Sequence, residues 1–219
     1  MLSLKSKIWV RISGICGIIS PIFAFSLIFL AINSYELFDW ELNALSDLGV
    51  VSGITATLFN FGLIGGGLIT LVFVIGLFIF IDKIKLSRIS LFFFILTNIF
   101  LIAIGLIPEN IKPVHYFVSV AFFACLSIFL LLSSISFILN GQSYLGIFSL
   151  SIFIVATIPW FLNFSSNLFT AVAIPEAISG LGISFWTIVL GLKMLHDWSQ
   201  LTPFENFFFL QSEKINVIF

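Results

Sequence analysis

Residues 113–175 read PVHYFVSVAFFACLSIFLLLSSISFILNGQSYLGIFSLSIFIVATIPWFLNFSSNLFTAVAIP, and His115 is their one acidic or basic side chain. An α-helix rises 1.5 Å per residue, so about 20 residues cross a ~30 Å hydrocarbon core. The run is too long for one crossing and right for two, with Asn140-Gly141-Gln142-Ser143 as the turn between them. Only helices that pair their own amides can sit in lipid, so this stretch predicts two membrane helices, at about Val114–Leu139 and Tyr144–Leu162.

The same measure applied outward predicts four more. Helix 1 covers Ile12–Ile32, helix 2 lies inside the charge-free run Leu48–Ile81, and helix 3 covers Ile89–Ile107, where Pro108 stops it. Helix 6 starts at Ile174-Pro175-Glu176, with Pro suited to a first turn and Glu to the positive dipole end, and reaches about Leu195. The first segment follows Lys5, Lys7 and Arg11 as a signal peptide would, but it is a full crossing long and lacks a small-x-small cleavage site, so it is expected to stay. The expected fold class is therefore all-α, a polytopic membrane protein with six transmembrane helices in one domain, residues 1–195. Residues 196–219 follow as a cytoplasmic interfacial tail carrying Trp198, Phe204 and Phe207-Phe208-Phe209.

Whole-chain composition agrees. Of 219 residues, 60% are hydrophobic and 9% charged, too little polar surface to cover a soluble domain of this size. The 29 Phe side chains face acyl tails without cost, and a net charge of -1 with no basic patch argues against nucleic acid as a partner. Cys16 and Cys125 lie in apolar runs and read as small hydrophobes, neither disulfide-bonded nor metal-bound.

Six crossings put Lys5, Lys7, Arg11, Lys83, Lys85, Arg88, Lys193 and Lys214 on one side and only Lys112 on the other. Because the cytoplasmic side retains Lys and Arg near helix ends, both termini are expected in the cytoplasm of a cell (plasma) membrane protein. Glu36, Asp39, Glu41, Asp47, Glu109 and Glu176 all fall on the opposite, outward face. A polar site is expected to open there. Ile107-Pro108-Glu109 and Ile174-Pro175-Glu176 look alike, but one ends a helix and the other begins one, so no internal repeat is read.

Asn60 and Asn98 each lie about nine residues from the outer ends of helices 2 and 3, a shared depth of ~13 Å. They are expected either to bond to each other and hold the helices together, or to line a polar cavity. Gly62-Leu63-Ile64-Gly65-Gly66-Gly67 fits close helix packing rather than a phosphate loop, since no strand and no Lys-Ser/Thr pair accompanies it. His115 and Ser119 share a helix face one turn apart, the spacing of a base beside a hydroxyl and also of two ordinary interfacial residues. Asp47, Glu109 and Glu176 belong to the outer mouths of helices 2, 3 and 6. With His115 they could hold a divalent cation through hard oxygen and imidazole donors, serve a lipid head group, or do acid–base chemistry, and each could equally be a solvated helix cap. No HExxH, GxSxG or Walker loop stands in the sequence, and no cofactor motif is evident beyond that cation set. Asn163-Phe164-Ser165 is a glycosylation sequon placed in the outward loop between helices 5 and 6.

Leu45-Ser46-Asp47-Leu48-Gly49, Leu58-Phe59-Asn60-Phe61-Gly62 and Ile107-Pro108-Glu109 followed by His115 and Ser119 resemble the prokaryotic six-helix membrane proteins catalogued as domain of unknown function 998. More distantly, the Ser-Asp-x-Gly and Pro-Glu elements are similar to those of the Frag1, DRAM and Sfk1 membrane proteins. That likeness implies a tilt towards membrane lipids and no settled reaction. The sequence reading is thus a multi-pass membrane protein with an outward acidic pocket framed by helices 2, 3, 4 and 6. In it Asp47, Glu109, His115 and Glu176 supply charge, Asn60 and Ser119 supply hydrogen bonds, and the ligand is a lipid head group or cation. The alternatives are a membrane-embedded lipid-modifying hydrolase or transferase, a small transporter, and a structural or regulatory component.

Overall fold

A computed structural model describes residues 4–81 and 84–201, with side chains described from Ile8 to Trp198 within those limits. Six helices follow in order: α1 Leu4–Asn33, α2 Ile54–Ile81, α3 Lys85–Leu106, α4 Val114–Leu139, α5 Ser143–Ser166 and α6 Ala173–Leu201. All six are long and apolar enough to cross a membrane. Phe61, Phe92, Phe117 and Phe161 are exposed on their flanks, as expected of side chains that meet lipid rather than water. The chain is an all-α, six-helix membrane protein.

The helices overrun the apolar windows at their ends. α3 begins at Lys85, because Lys85 and Arg88 can stay helical while their heads reach the interface. α6 continues through His196, Asp197 and Trp198 to Leu201, so the first part of the expected tail is helix; Phe204 and Phe207-Phe208-Phe209 lie outside the described residues. Arg11 stacks over the Trp198 ring at 4.6 Å, joining the start of α1 to the end of α6.

Each helix packs on the next, and α6 packs back on α1, closing a ring of six. Its centre is filled from four helices. Phe94 and Phe129 stack at 4.1 Å, Trp186 meets Phe129 at 5.0 Å and Phe94 at 5.7 Å, and Phe73 closes on Phe94 and Trp186, both at 6.4 Å. The Trp186 indole N–H donates to Ser149 Oγ on α5 at 2.8 Å, so this buried polar edge is satisfied. Phe73 and Phe94 lie nearer the end that carries Lys85 and Lys193, hereafter the basic end; the α1–α2, α3–α4 and α5–α6 connections form the acidic end.

Small residues set the spacing of the ring. Gly62 and Gly66 sit against α1, where a Cβ would lie 3.1 Å from Leu27 and 2.8 Å from Ala24, while Gly67 sits against α3, 2.6 Å from Ile102. The glycine stretch is therefore packing, shared between two neighbours. Two expectations are corrected here. Asn60 and Asn98 do not bond to each other: Asn60 Nδ2 donates to the Gly49 carbonyl at 3.0 Å and Asn98 Nδ2 to Phe94 within its own helix at 2.7 Å. The sequon is not in a loop: Asn163 belongs to the last turns of α5, and its Oδ1 accepts the Phe169 N–H at 3.0 Å.

Candidate functional site at the acidic end

Between α1 and α2 the chain does not simply turn. Leu45–Val50 forms a short 3-10 helix that packs back on α2 and α6, with Leu45, Ser46, Leu48 and Gly49 buried. The amides at the start of such a helix have no partner within it, and burial makes an outside acceptor necessary. Asp47 reaches back to accept the Ala44 N–H at 2.9 Å and the Asn43 side-chain amide at 3.1 Å. Glu176, in the first turn of α6, accepts the Leu45 N–H at 2.6 Å. Glu109, between α3 and α4, accepts the Ser46 hydroxyl at 3.1 Å. A further strap runs from the Ala173 N–H to the Asn43 carbonyl at 3.1 Å.

Three carboxyls from three separate connections thus meet around Ser46. Asp47 and Glu176 hold backbone N–H groups at the start of the 3-10 helix, whereas Glu109 holds a side-chain hydroxyl. Lys112 places its ammonium 3.8 Å from Glu109 on a side chain 72% exposed, too solvated to neutralise the group. Burial pushes the Glu109 carboxyl above the usual carboxylate range, and the hydrogen bond and charge of Asp47 push it the same way; the Ser46 hydroxyl and His115 oppose them.

His115 is buried, 5% exposed, at the start of α4. Its Nδ1 lies 2.6 Å from the Ile107 carbonyl, an atom that can only accept, so Nδ1 carries the proton. In the neutral ring Nε2 is then an acceptor, and it is buried without a partner. The ring bonds to Ile107 and not to Ser119, so the base–hydroxyl pair that the spacing allowed is not formed. Among the described residues no group of three or more His, Cys, Asp or Glu side chains is arranged to hold a metal ion. Asn60 sits under the 3-10 helix, holding the Gly49 carbonyl with its Nδ2 while its Oδ1 is buried and unpaired.

Two spaces open beside this cluster. A cavity of about 130 Å³ lies inside the ring, bounded by Leu45, Ser46 and Glu176 at the acidic end and by Phe94 of the aromatic plug, with Asn98 and Thr97 in its wall. A crevice of about 710 Å³ lies between α4 and α5, with Ser46, Glu109, Lys112, His115 and Glu176 at its mouth. Below the mouth its walls are mainly apolar and aromatic, among them Tyr116, Val120, Phe123, Trp160 and Phe164, reaching Ser127 and Thr157. Ser127 is thirteen residues along α4 from Val114, about 20 Å in. Ser119 and Phe123 line both spaces.

The expected frame of helices 2, 3, 4 and 6 is thus divided between the two spaces. α2 and α3 wall the inner cavity, whereas the crevice owes one wall to α5, which the sequence reading left out. Ser46, Asn43, Thr157 and Trp160 were also not singled out as site residues. Ser46 was visible as part of Leu45-Ser46-Asp47-Leu48-Gly49, but nothing local marks a hydroxyl that serves a carboxylate 63 residues away.

Comparison with known proteins adds the family. A profile described as a protein of unknown function (DUF998) matches residues 18–193. No curated protein and no solved structure matches the chain.

Proposed function

We propose, from the premise that this chain belongs to the DUF998 family, whose function is not known, that it binds a membrane lipid. The acyl chain lies in the α4–α5 crevice, and the head group lies against Glu109, His115 and Glu176 at the mouth. The observation that carries this reading is the polarity gradient of one space: charged and hydrogen-bonding groups at the interface, apolar walls for about 20 Å towards the membrane centre. Its volume falls within the ~300–1,000 Å³ usual for ligand sites. The distribution of Lys and Arg supports a mouth on the outer face of a cell membrane, and on this reading the ligand comes from the outer leaflet.

The transporter alternative fits less well, because the inner cavity meets Phe94, whose ring packs on Phe129 and Trp186, and Glu176 at its top is the one acidic or basic side chain in its lining. The test is labelling of the purified protein in lipid nanodiscs by a phospholipid with a photoreactive group on its acyl chain. Thr157→Trp fills the crevice beside Trp160 and is expected to abolish labelling of α4 and α5 peptides, while Ile147→Trp, on an exposed flank of α5, leaves it unchanged. Labelling spread evenly over all helices and insensitive to Thr157→Trp would overturn the proposal.

A further inference from the structure

The crevice mouth has a one-sided hydrogen-bond inventory. Glu109 and Glu176 present carboxyl oxygens, with Asp47 behind Glu109, and in its neutral form His115, whose Nδ1 donates to Ile107, adds Nε2 as a further acceptor. That Nε2 is buried and meets no partner among the described residues, an unfavourable state that a ligand donor would relieve. Ser46 already gives its hydrogen to Glu109. Donors are therefore what the mouth lacks, and so is positive charge, since three carboxyls face one exposed Lys112 at its rim.

We infer that the head group recognised here is a primary ammonium joined to a phosphodiester, as in an ethanolamine phospholipid; this rests on the lipid-binding reading above. The ammonium brings three N–H donors and a unit charge to Glu109, Glu176 and His115 Nε2. The phosphate, one short linker away, meets the Lys112 ammonium at the rim, and the acyl chain follows Tyr116, Phe123 and Trp160 into the crevice. A trimethylated ammonium carries the same charge without any N–H, so it leaves the acceptors unpaired. A glycerol head group carries hydroxyl donors but leaves a net negative phosphodiester beside the acids.

The discriminating experiment measures binding of phosphatidylethanolamine, phosphatidylcholine and phosphatidylglycerol with identical acyl chains to the purified protein by native mass spectrometry. Phosphatidylethanolamine is expected to bind about tenfold or more tightly than either of the others. His115→Phe, which keeps a ring and removes Nε2, is expected to weaken phosphatidylethanolamine about fivefold and leave phosphatidylcholine unchanged, and a thermal melt of each variant checks that the fold persists. Equal affinity for ethanolamine and choline lipids, or a preference for phosphatidylglycerol, overturns the head-group inference while the lipid reading stands. Soluble phosphoethanolamine competing as well as the intact lipid would do the reverse, sinking the crevice and sparing the head group. Absence of bound phospholipid of any kind sinks both.

Discussion

Glu176 offers the sharpest single perturbation, because its carboxyl holds a backbone amide 131 residues away. In Glu176→Ala the Leu45 N–H, buried at the start of the 3-10 helix, loses its acceptor at 2.6 Å and is left unsatisfied, an expected loss of about 1–3 kcal/mol. Glu176→Gln keeps an acceptor oxygen and should stay within about 1 kcal/mol of the parent. The free thiols of Cys16 and Cys125 provide the assay. A maleimide that fluoresces on reaction reports their exposure as detergent-solubilised protein is heated. The Ala variant should melt several degrees lower and the Gln variant close to the parent. If the two variants melt together, the carboxyl is not acting as an acceptor for the 3-10 helix and the account of Leu45–Val50 is wrong.

Two further outcomes are expected. Gly105→Ala places a Cβ 2.8 Å from the Asn60 carbonyl and 2.9 Å from Ile64, an overpacking that should cost about 1–3 kcal/mol, whereas Gly182→Ala meets only Ile152 at 3.4 Å and should gain a few tenths to ~1 kcal/mol from helix propensity; opposite shifts in melting temperature check the pair. Glu109 is an acid whose carboxyl is raised above its ordinary value of 4.5 in the folded protein, so the folded state binds the extra proton. Its contribution to stability is full below that ordinary value and is lost as pH rises through the raised one. Stability should therefore fall with rising pH in that window, and Glu109→Gln should flatten the profile, with Asp47, Glu176, His115 and Lys112 as the other groups facing it; an unchanged slope in the variant would refute the assignment.

How much of this was legible beforehand follows from which interactions are local. The helix count and the separation of basic from acidic ends were readable because hydrocarbon imposes its condition on every window of about 20 residues separately. Breaks such as Pro108 and Asn140-Gly141 mark the ends without reference to the rest of the chain. The pooling of Asp47, Glu109 and Glu176 at one end followed from the same threading.

Facing directions did not follow. Helices that are apolar on all sides carry little record of their rotation, since lipid and a neighbouring helix reward the same side chains. Asn60 and Asn98 share a depth yet point to different partners, and His115 turns to Ile107 rather than down to Ser119. The folding of Leu45–Val50 into the bundle and the hold of Glu176 and Glu109 on it were decided by contacts across 131 and 63 residues. Sequence alone established the six helices and which groups gather at each end of them. Only the tertiary structure established which groups meet, because depth is set by the solvent and azimuth by packing.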